Sequence, residues 1–319
     1  MDTAALDFGQ VVGTISMLME NTLAPSSVNG YSRAWRMFHM VMAKLNIPFT
    51  GVSDLPVQEH HILLFIGALY DEGYAPTTIV TYVSALGYAH KFKGYPDPTT
   101  TFKVQKVLAT SIKLKNDIDS RLPITLNILS RLTNSLRVTT DSPYLRVLFK
   151  AMYIVSFFGL MRMGEVTRDI SGDISLTTDQ VSVFNTHVIL RINKFKNNYK
   201  GTPFEIVLPR QQDSSICPVL ALQNYFRLRG TAPGPLFCFP NLSPISRDFY
   251  TQRLKVNLNF CGLDTKLFQT HSFRIGGASF YASLGISDEH IRMLGRWKTT
   301  AFRRYIRCQR ILAALAAIQ

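Results

Sequence analysis

Apolar positions in the first third of the chain recur at steps of three and four. Val28, Tyr31, Trp35, Phe38, Met42 and Leu45 form one stripe behind a Ser26 or Ser27 cap, and Pro48 and Gly51 close the run. Pro56 opens a second helix along Ile62, Phe65, Ile66 and Leu69, which stops near Gly73. Pro76 and Thr77 open a third, with Ile79, Tyr82, Val83 and Leu86 inward, ending at Gly94, Tyr95 and Pro96. A fourth, near residues 101 to 116, carries Lys103, Lys106, Lys113 and Lys115. Helices joined by short Pro/Gly turns predict a compact bundle.

The polar stretch from Asp117 to Pro123 reads as a linker, placing one domain at residues 1–118 and a second at 119–319. The second opens with a helix from Thr125 through Leu136. A longer one follows from Ser142 and Pro143 through Leu148, Met152, Val155 and Phe158 into FFGLMRMGEV, with Arg162 and Glu165 at i, i+3. The period then changes. Val181 to Val183 and His187 to Asn193 are β-like, residues 197–201 read as a turn, and Pro203 to Leu208 return. Pro218 starts another helix that Gly230 stops, and a further one begins at Ser246. The pattern predicts a mainly α chain with a small β-sheet, an α+β fold.

Composition narrows the class of partner. The 319 residues carry a formal net charge of +14 with 46% hydrophobic residues, so a polyanion is the expected partner. No apolar run approaches the roughly 20 residues needed to cross a bilayer, which favours nucleic acid over a membrane. Basic residues thicken from Lys91 and Lys93 onward, as on a surface lying along a phosphate backbone. Cys217, Cys238, Cys261 and Cys308 are scattered without zinc or disulfide spacing. The amino terminus, MDTAALDFGQ, carries acid where a secretory or mitochondrial signal needs base. The expected location is the nucleus in a eukaryotic host, otherwise the cytoplasm.

The richest chemistry lies between Thr270 and Arg307. His271 and Arg274 stand three apart, so a helix projects them from one face. Ile275, Ala278, Phe280 and Leu284 continue that helix to Gly285, and Ser287 caps the next, with Asp288 and Glu289 in its first turn. Trp297 follows a break at Gly295, and a short helix carries Tyr305 among Arg303, Arg304 and Arg307. Arginine forks bind phosphate oxygens bidentately, and a deprotonated phenol is a nucleophile for phosphorus.

His-x-x-Arg, then Trp, then Tyr resembles the carboxy-terminal box of the tyrosine recombinase, or phage integrase, superfamily. The wording GRWKTTAFRRYIR is more similar to recombinases of eukaryotic Crypton and DIRS-like mobile elements than to bacterial integrases. Gly159-Leu-x-Arg162-x-x-Glu165 resembles the superfamily's first arginine box, and Asn193-Lys194-Phe-Lys196 its hairpin lysine.

The resemblance implies a helical, SAM-like core-binding domain that clamps DNA opposite a catalytic domain. It implies that Arg162 and Arg274 hold the nonbridging oxygens of a phosphodiester while Tyr305 attacks in line. Lys194 then protonates the leaving 5′-oxygen, His271 assists, Trp297 supports the phosphate, and Glu165 orients Arg162. Lys196, Arg303 and Arg304 join the lysines already named in binding DNA. The product is a 3′-phosphotyrosine that religates without metal, ATP or any other cofactor, in a tetramer on two DNA sites. The apolar tail, with Ile311, Leu312, Leu315 and Ile318 on one helical face, is expected to dock on a neighbouring subunit. Three rivals stand beside this reading. A metal-dependent transposase or nuclease would need a converging acidic triad, for which Asp169, Asp173 and Asp179 are the nearest candidates. A type IB topoisomerase shares the chemistry without sequence choice. A domesticated, silent DNA-binding protein keeps the fold alone.

Overall fold

The computed structural model describes residues 8–47, 55–115, 119–168, 176–193, 195 and 202–306. They fall into two compact units, Met1–Asp119 and Ser120–Gln319.

The first unit is helical. Helix α1 (Phe8–Glu20) precedes the region where the apolar pattern was expected to begin and is exposed from Val12 to Glu20. Helix α2 (Pro25–Lys44) starts one turn position earlier than a serine cap implies: Ala24 is its N-cap and Pro25, whose missing N–H costs nothing there, is in its first turn. Of its anticipated stripe Phe38 and Met42 are fully buried, whereas Val28 and Leu45 are exposed; Ala34 and Val41 complete the buried face. Helix α3 (Glu59–Asp71) begins three residues after Pro56, behind Gln58, and buries Ile62, Phe65, Ile66 and Leu69. Helix α4 (Pro76–Phe92) buries Ile79, Tyr82, Val83 and Leu86 as the period requires. Helix α5 (Phe102–Lys115) turns Val104 and Leu108 inward. These residues make one hydrophobic core, each fully buried large side chain contributing about 2 kcal/mol.

The second unit has its own core, built on helix α7 (Pro143–Phe158), which buries ten consecutive or near-consecutive side chains from Leu148 to Phe158. A helix apolar all round must be covered on every side. Helix α6 (Leu126–Thr139), capped by the Thr125 hydroxyl, covers one side, and helix α9 (Pro218–Arg229) another. Helix α10 (Arg247–Phe260), capped by Ser246, packs on α6. The antiparallel sheet runs in the order β1 (Val181–Val183), β2 (His187–Ile192), β3 (Phe204–Pro209). Val188, Leu190 and Ile192 alternate inward on β2, the period-2 pattern of a half-buried strand. The predicted turn at 197–201 and the apolar tail lie outside the described residues.

Helix α11 (Ser272–Ser283) crosses α7 at close range. A Cβ on Gly277 would stand 2.2 Å from the Phe157 carbonyl oxygen, so only glycine permits this approach. Tyr281 fastens the crossing by donating its hydroxyl to the Phe158 carbonyl at 2.8 Å. Helix α12 (Asp288–Leu294), capped by the Ser287 hydroxyl, and a 3-10 turn at Thr300–Tyr305 complete the unit. A satellite cluster of Leu160, Ala278, Ile291 and Phe302 binds that turn to α11 and α12.

Candidate active site

The break after α7 places the first arginine. Gly159 caps the helix, and Leu160 takes a left-handed φ of 46°, which costs a branched residue energy and is kept only where surroundings enforce it. Arg162 follows as N-cap of the four-residue helix α8 (Met163–Val166) rather than on α7 itself. Its backbone N–H donates to Glu165 Oε2 at 2.8 Å, and its Nη1 to Glu165 Oε1 at 2.9 Å. The i, i+3 pairing read from the sequence is therefore present, as a capping interaction.

His271 and Arg274 come from the start of α11. His271 sits at the N-cap with its ring centroid 5.0 Å from that of Tyr305. Arg274 is almost fully buried and donates to the carbonyls of Leu160 and Gly295. Its guanidinium lies 4.0 Å from the Trp297 ring centroid. Trp297 folds back over Gly295, where an added Cβ would meet the indole at 1.6 Å, and its ring lies 5.2 Å from the Tyr305 ring. Tyr305 is carried by a 3-10 turn rather than an α-helix; Ser279 donates to its carbonyl at 3.0 Å. Arg162, Arg274, His271, Trp297 and Tyr305 thus meet at one place.

Electrostatics there are lopsided. Burial works to raise the Glu165 carboxyl, but the Arg296 and Arg162 guanidiniums beside it prevail and hold it below its ordinary value. Burial first, then the charges of Arg162 and Arg296, push the Arg274 guanidinium down. Three guanidiniums sharing one buried carboxylate leave the site short of negative charge, and a phosphate is the kind of group that relieves it.

Arg296 was not singled out by the sequence reading, where it resembled any cation of a basic segment. Its side chain is 1% exposed and pairs with Glu165 at 2.7 Å. The other anticipated residues are dispersed. Lys194 and Lys196 lie outside the described residues. Arg303 is exposed and pairs with Asp288 at 3.0 Å; Arg304 is exposed on the same turn. Lys91 and Lys93 are exposed at the end of α4, Lys91 being 3.2 Å from Asp97. Lys103, Lys106 and Lys113 are exposed on α5, with Lys103 3.7 Å from Glu59. Lys115 instead lies on the inward side, donating to the Tyr74 carbonyl at 2.8 Å. Among the described residues no three acidic, histidine or cysteine side chains gather as a metal site; of the acidic triad weighed above, only Asp179 is described. No helix among them is long and apolar enough to cross a membrane.

With its small three-stranded sheet and dominant helices, the chain has the α+β tyrosine-recombinase fold. Solved structures sharing it include the XerH site-specific recombinase bound to palindromic difH substrate, with TM-score 0.64 and 16% identity over 91% of this chain and 79% of that one. A lambda integrase dimer bound to a COC′ core site gives TM-score 0.62 and 14% identity over 91% and 74%. The Tn1549 transposon integrase in complex with transposon right end DNA gives 0.63 and 12% over 95% and 98%. No family model matches the sequence, and no curated protein matches it.

Proposed function

We propose that the chain is a site-specific DNA recombinase or integrase that cuts and rejoins strands through a covalent 3′-phosphotyrosine. The observation that carries this reading is the Tyr305 ring flanked by His271 and Trp297, with Arg274 stacked on that tryptophan. In the proposed step the Tyr305 oxygen passes its proton to the neighbouring His271 and attacks phosphorus. The bond from phosphorus to the 5′-oxygen breaks, and that oxygen takes a proton, from Lys194 by family resemblance. Arg162 and Arg274 neutralise the charge that builds on the nonbridging oxygens. Reversal by another 5′-hydroxyl rejoins the strand with no net energy input.

The solved structures named above are complexes of recombinases and integrases with DNA, and another of the same fold is a lambda integrase tetramer bound to a Holliday junction. They support double-stranded DNA as the partner here and a tetramer on two sites as the working assembly. Mobile-element integration or excision and the Crypton or DIRS-like affiliation rest on the wording of the carboxy-terminal box, and a nuclear location holds for a eukaryotic host.

The test is incubation with candidate element-end duplexes followed by a denaturing gel. A covalent protein–DNA adduct, absent with Tyr305→Phe and indifferent to chelator, is expected. DNA binding without adduct is the outcome of a silent DNA-binding protein. Relaxation of supercoils without sequence choice is that of a type IB topoisomerase, and a strict metal requirement that of the acidic-triad nuclease.

A further inference from the structure

Arg296 occupies a place that its chemistry does not explain by default. Its φ is 54°, a conformation for which glycine is the usual choice, yet the residue carries a long cation and buries it. All of the contacts it makes run inward. Nη2 donates to Glu165 Oε2 at 2.7 Å and to the Leu160 carbonyl at 3.1 Å. Nη1 donates to the Leu294 carbonyl at 2.9 Å and, at 3.4 Å, to that of Gly159. The carbonyl of Arg296 itself accepts from Arg162 Nη2 at 3.1 Å.

Glu165 can steer Arg162 only if Glu165 is itself held. Its Oε1 receives Arg162 Nη1, and its Oε2 receives both the Arg162 N–H and Arg296 Nη2. Without Arg296 the carboxylate keeps one partner residue, and the pair is free to swing as a unit. With it, Arg162 is fixed at two nitrogens by groups that both trace to Arg296, one through Glu165 and one through the backbone. The Leu160 carbonyl is shared by Arg296 and Arg274, so the same residue also braces the neighbour of the second arginine. The left-handed turn is what lets one residue present its side chain and its carbonyl to Glu165 and Arg162 together.

We propose that Arg296 is a positioning residue for strand cleavage: it does not touch the DNA phosphate, and it sets the Arg162 guanidinium through Glu165 and through its own carbonyl. This deepens the recombinase reading and rests on it for the nature of the reaction, but not for the pre-set anion site.

The experiment uses the full chain with Arg296→Lys and Arg296→Gln. Lysine keeps the buried cation and loses the fork that reaches carboxylate and carbonyls at once. Each protein is checked by thermal melting, then titrated with tungstate as a phosphate-like probe by calorimetry, which needs no cleavage. Covalent adduct is then timed on a nicked duplex at saturating protein, with DNA affinity measured separately.

Both variants are expected to melt cooperatively and bind DNA as the wild type does. Tungstate affinity should fall about tenfold, and the rate of adduct formation at saturation by about 10², the scale of a misplaced contact. Wild-type tungstate binding and adduct rates in Arg296→Lys overturn the proposal, since charge alone then suffices. A wild type that does not bind tungstate overturns it too, and so does an Arg296→Lys protein without a melting transition, which makes the residue structural only. If Arg296→Gln alone fails to fold, the lysine variant decides. Should the wild type form no adduct on any duplex while tungstate binding falls as expected, the recombinase reading fails and the positioning role stands.

Discussion

The Arg274 guanidinium lies against the Trp297 indole, 4.0 Å from the ring centroid, while two backbone carbonyls hold its nitrogens. A buried cation on an aromatic face gains about 2 kcal/mol, too little to offset the burial of a guanidinium alone, so the stack orients the arginine and the carbonyls offset its desolvation. The expected order follows. On the proposed reading Arg274→Ala should lower adduct formation by about 10² or more, because it removes a cation that stabilises the charge developing on the phosphate. Trp297→Ala should cost about tenfold, and Trp297→Phe less, since a smaller ring keeps a face for the guanidinium. Single-turnover adduct assays on the three proteins check the order. A Trp297→Ala protein as inactive as Arg274→Ala would mean that the indole acts on the phosphate itself.

Glu165 predicts an acid limb. Its carboxyl sits below its ordinary value near 4.5 because Arg296 and Arg162 outweigh the burial that pushes the other way. A depressed folded value means that the pairing contributes fully above the unfolded value and is lost as pH falls through the folded one. The stability gap between wild type and Glu165→Gln should therefore hold steady down to about pH 5 and close as pH falls further. The variant is expected to be less stable near neutrality, by about 3 kcal/mol, because Arg296 keeps its burial and loses its counter-charge. Its stability should change less steeply in acid than that of the wild type. Parallel acid limbs would show that Glu165 is not held ionised by the fold.

Much of this architecture is written in local pattern. The stripe Ile62, Phe65, Ile66 and Leu69, and that of Ile79, Tyr82, Val83 and Leu86, bury as their spacing demands because helix-on-helix packing reads periodicity directly. His271, Arg274, Trp297 and Tyr305 are legible for a related reason: they are close in sequence and distinctive in type. Arg296 is not. Its partner Glu165 is 131 positions away, and nothing beside it separates a buried arginine from the solvated ones of the same segment. The expected pattern leaves out helix α1, although Val12, Ile15 and Met19 repeat at helical steps and Asp7 precedes its first residue. The half-buried place of Lys115 is not legible either, because a basic helix end normally faces solvent and only distant partners, the Tyr74 carbonyl and the Tyr70 ring, explain this one.

That placement separates the lysines of α5 by experiment. Each exposed lysine that meets a phosphate steepens the salt dependence of DNA affinity by about one counterion. Lys106→Ala and Lys113→Ala are expected to flatten the plot of log affinity against log salt by about one unit each. Lys115→Ala should leave the slope unchanged and lower the melting temperature instead, as a half-buried carbonyl loses its donor. Equal slopes for all three variants and the wild type would take α5 off the DNA.

Phe302 anchors the turn that carries the tyrosine. It is 2% exposed, its ring lies 6.1 Å from that of Trp297, and it joins Leu160, Ala278 and Ile291 in a cluster separate from the main core. A 3-10 turn of six residues has poor hydrogen-bond geometry and little stability of its own, so it holds its place by what it buries. Truncating a buried phenylalanine costs about 3 to 5 kcal/mol in a rigid core. Here the loss should fall mainly on the turn, because the cluster is small and α7 and α11 keep their own contacts. Phe302→Ala is therefore expected to lower the global melting temperature by only a few degrees. It should reduce adduct formation by about tenfold or more, as Tyr305 leaves its place between His271 and Trp297. Phe302→Leu, which refills most of the volume, should recover most of the rate. Amide exchange across residues 300–306 gives a readout independent of cleavage: faster exchange there with unchanged protection in α7 supports the argument. Uniformly faster exchange would show instead that Phe302 stabilises the whole unit, and that the tyrosine is placed by something else.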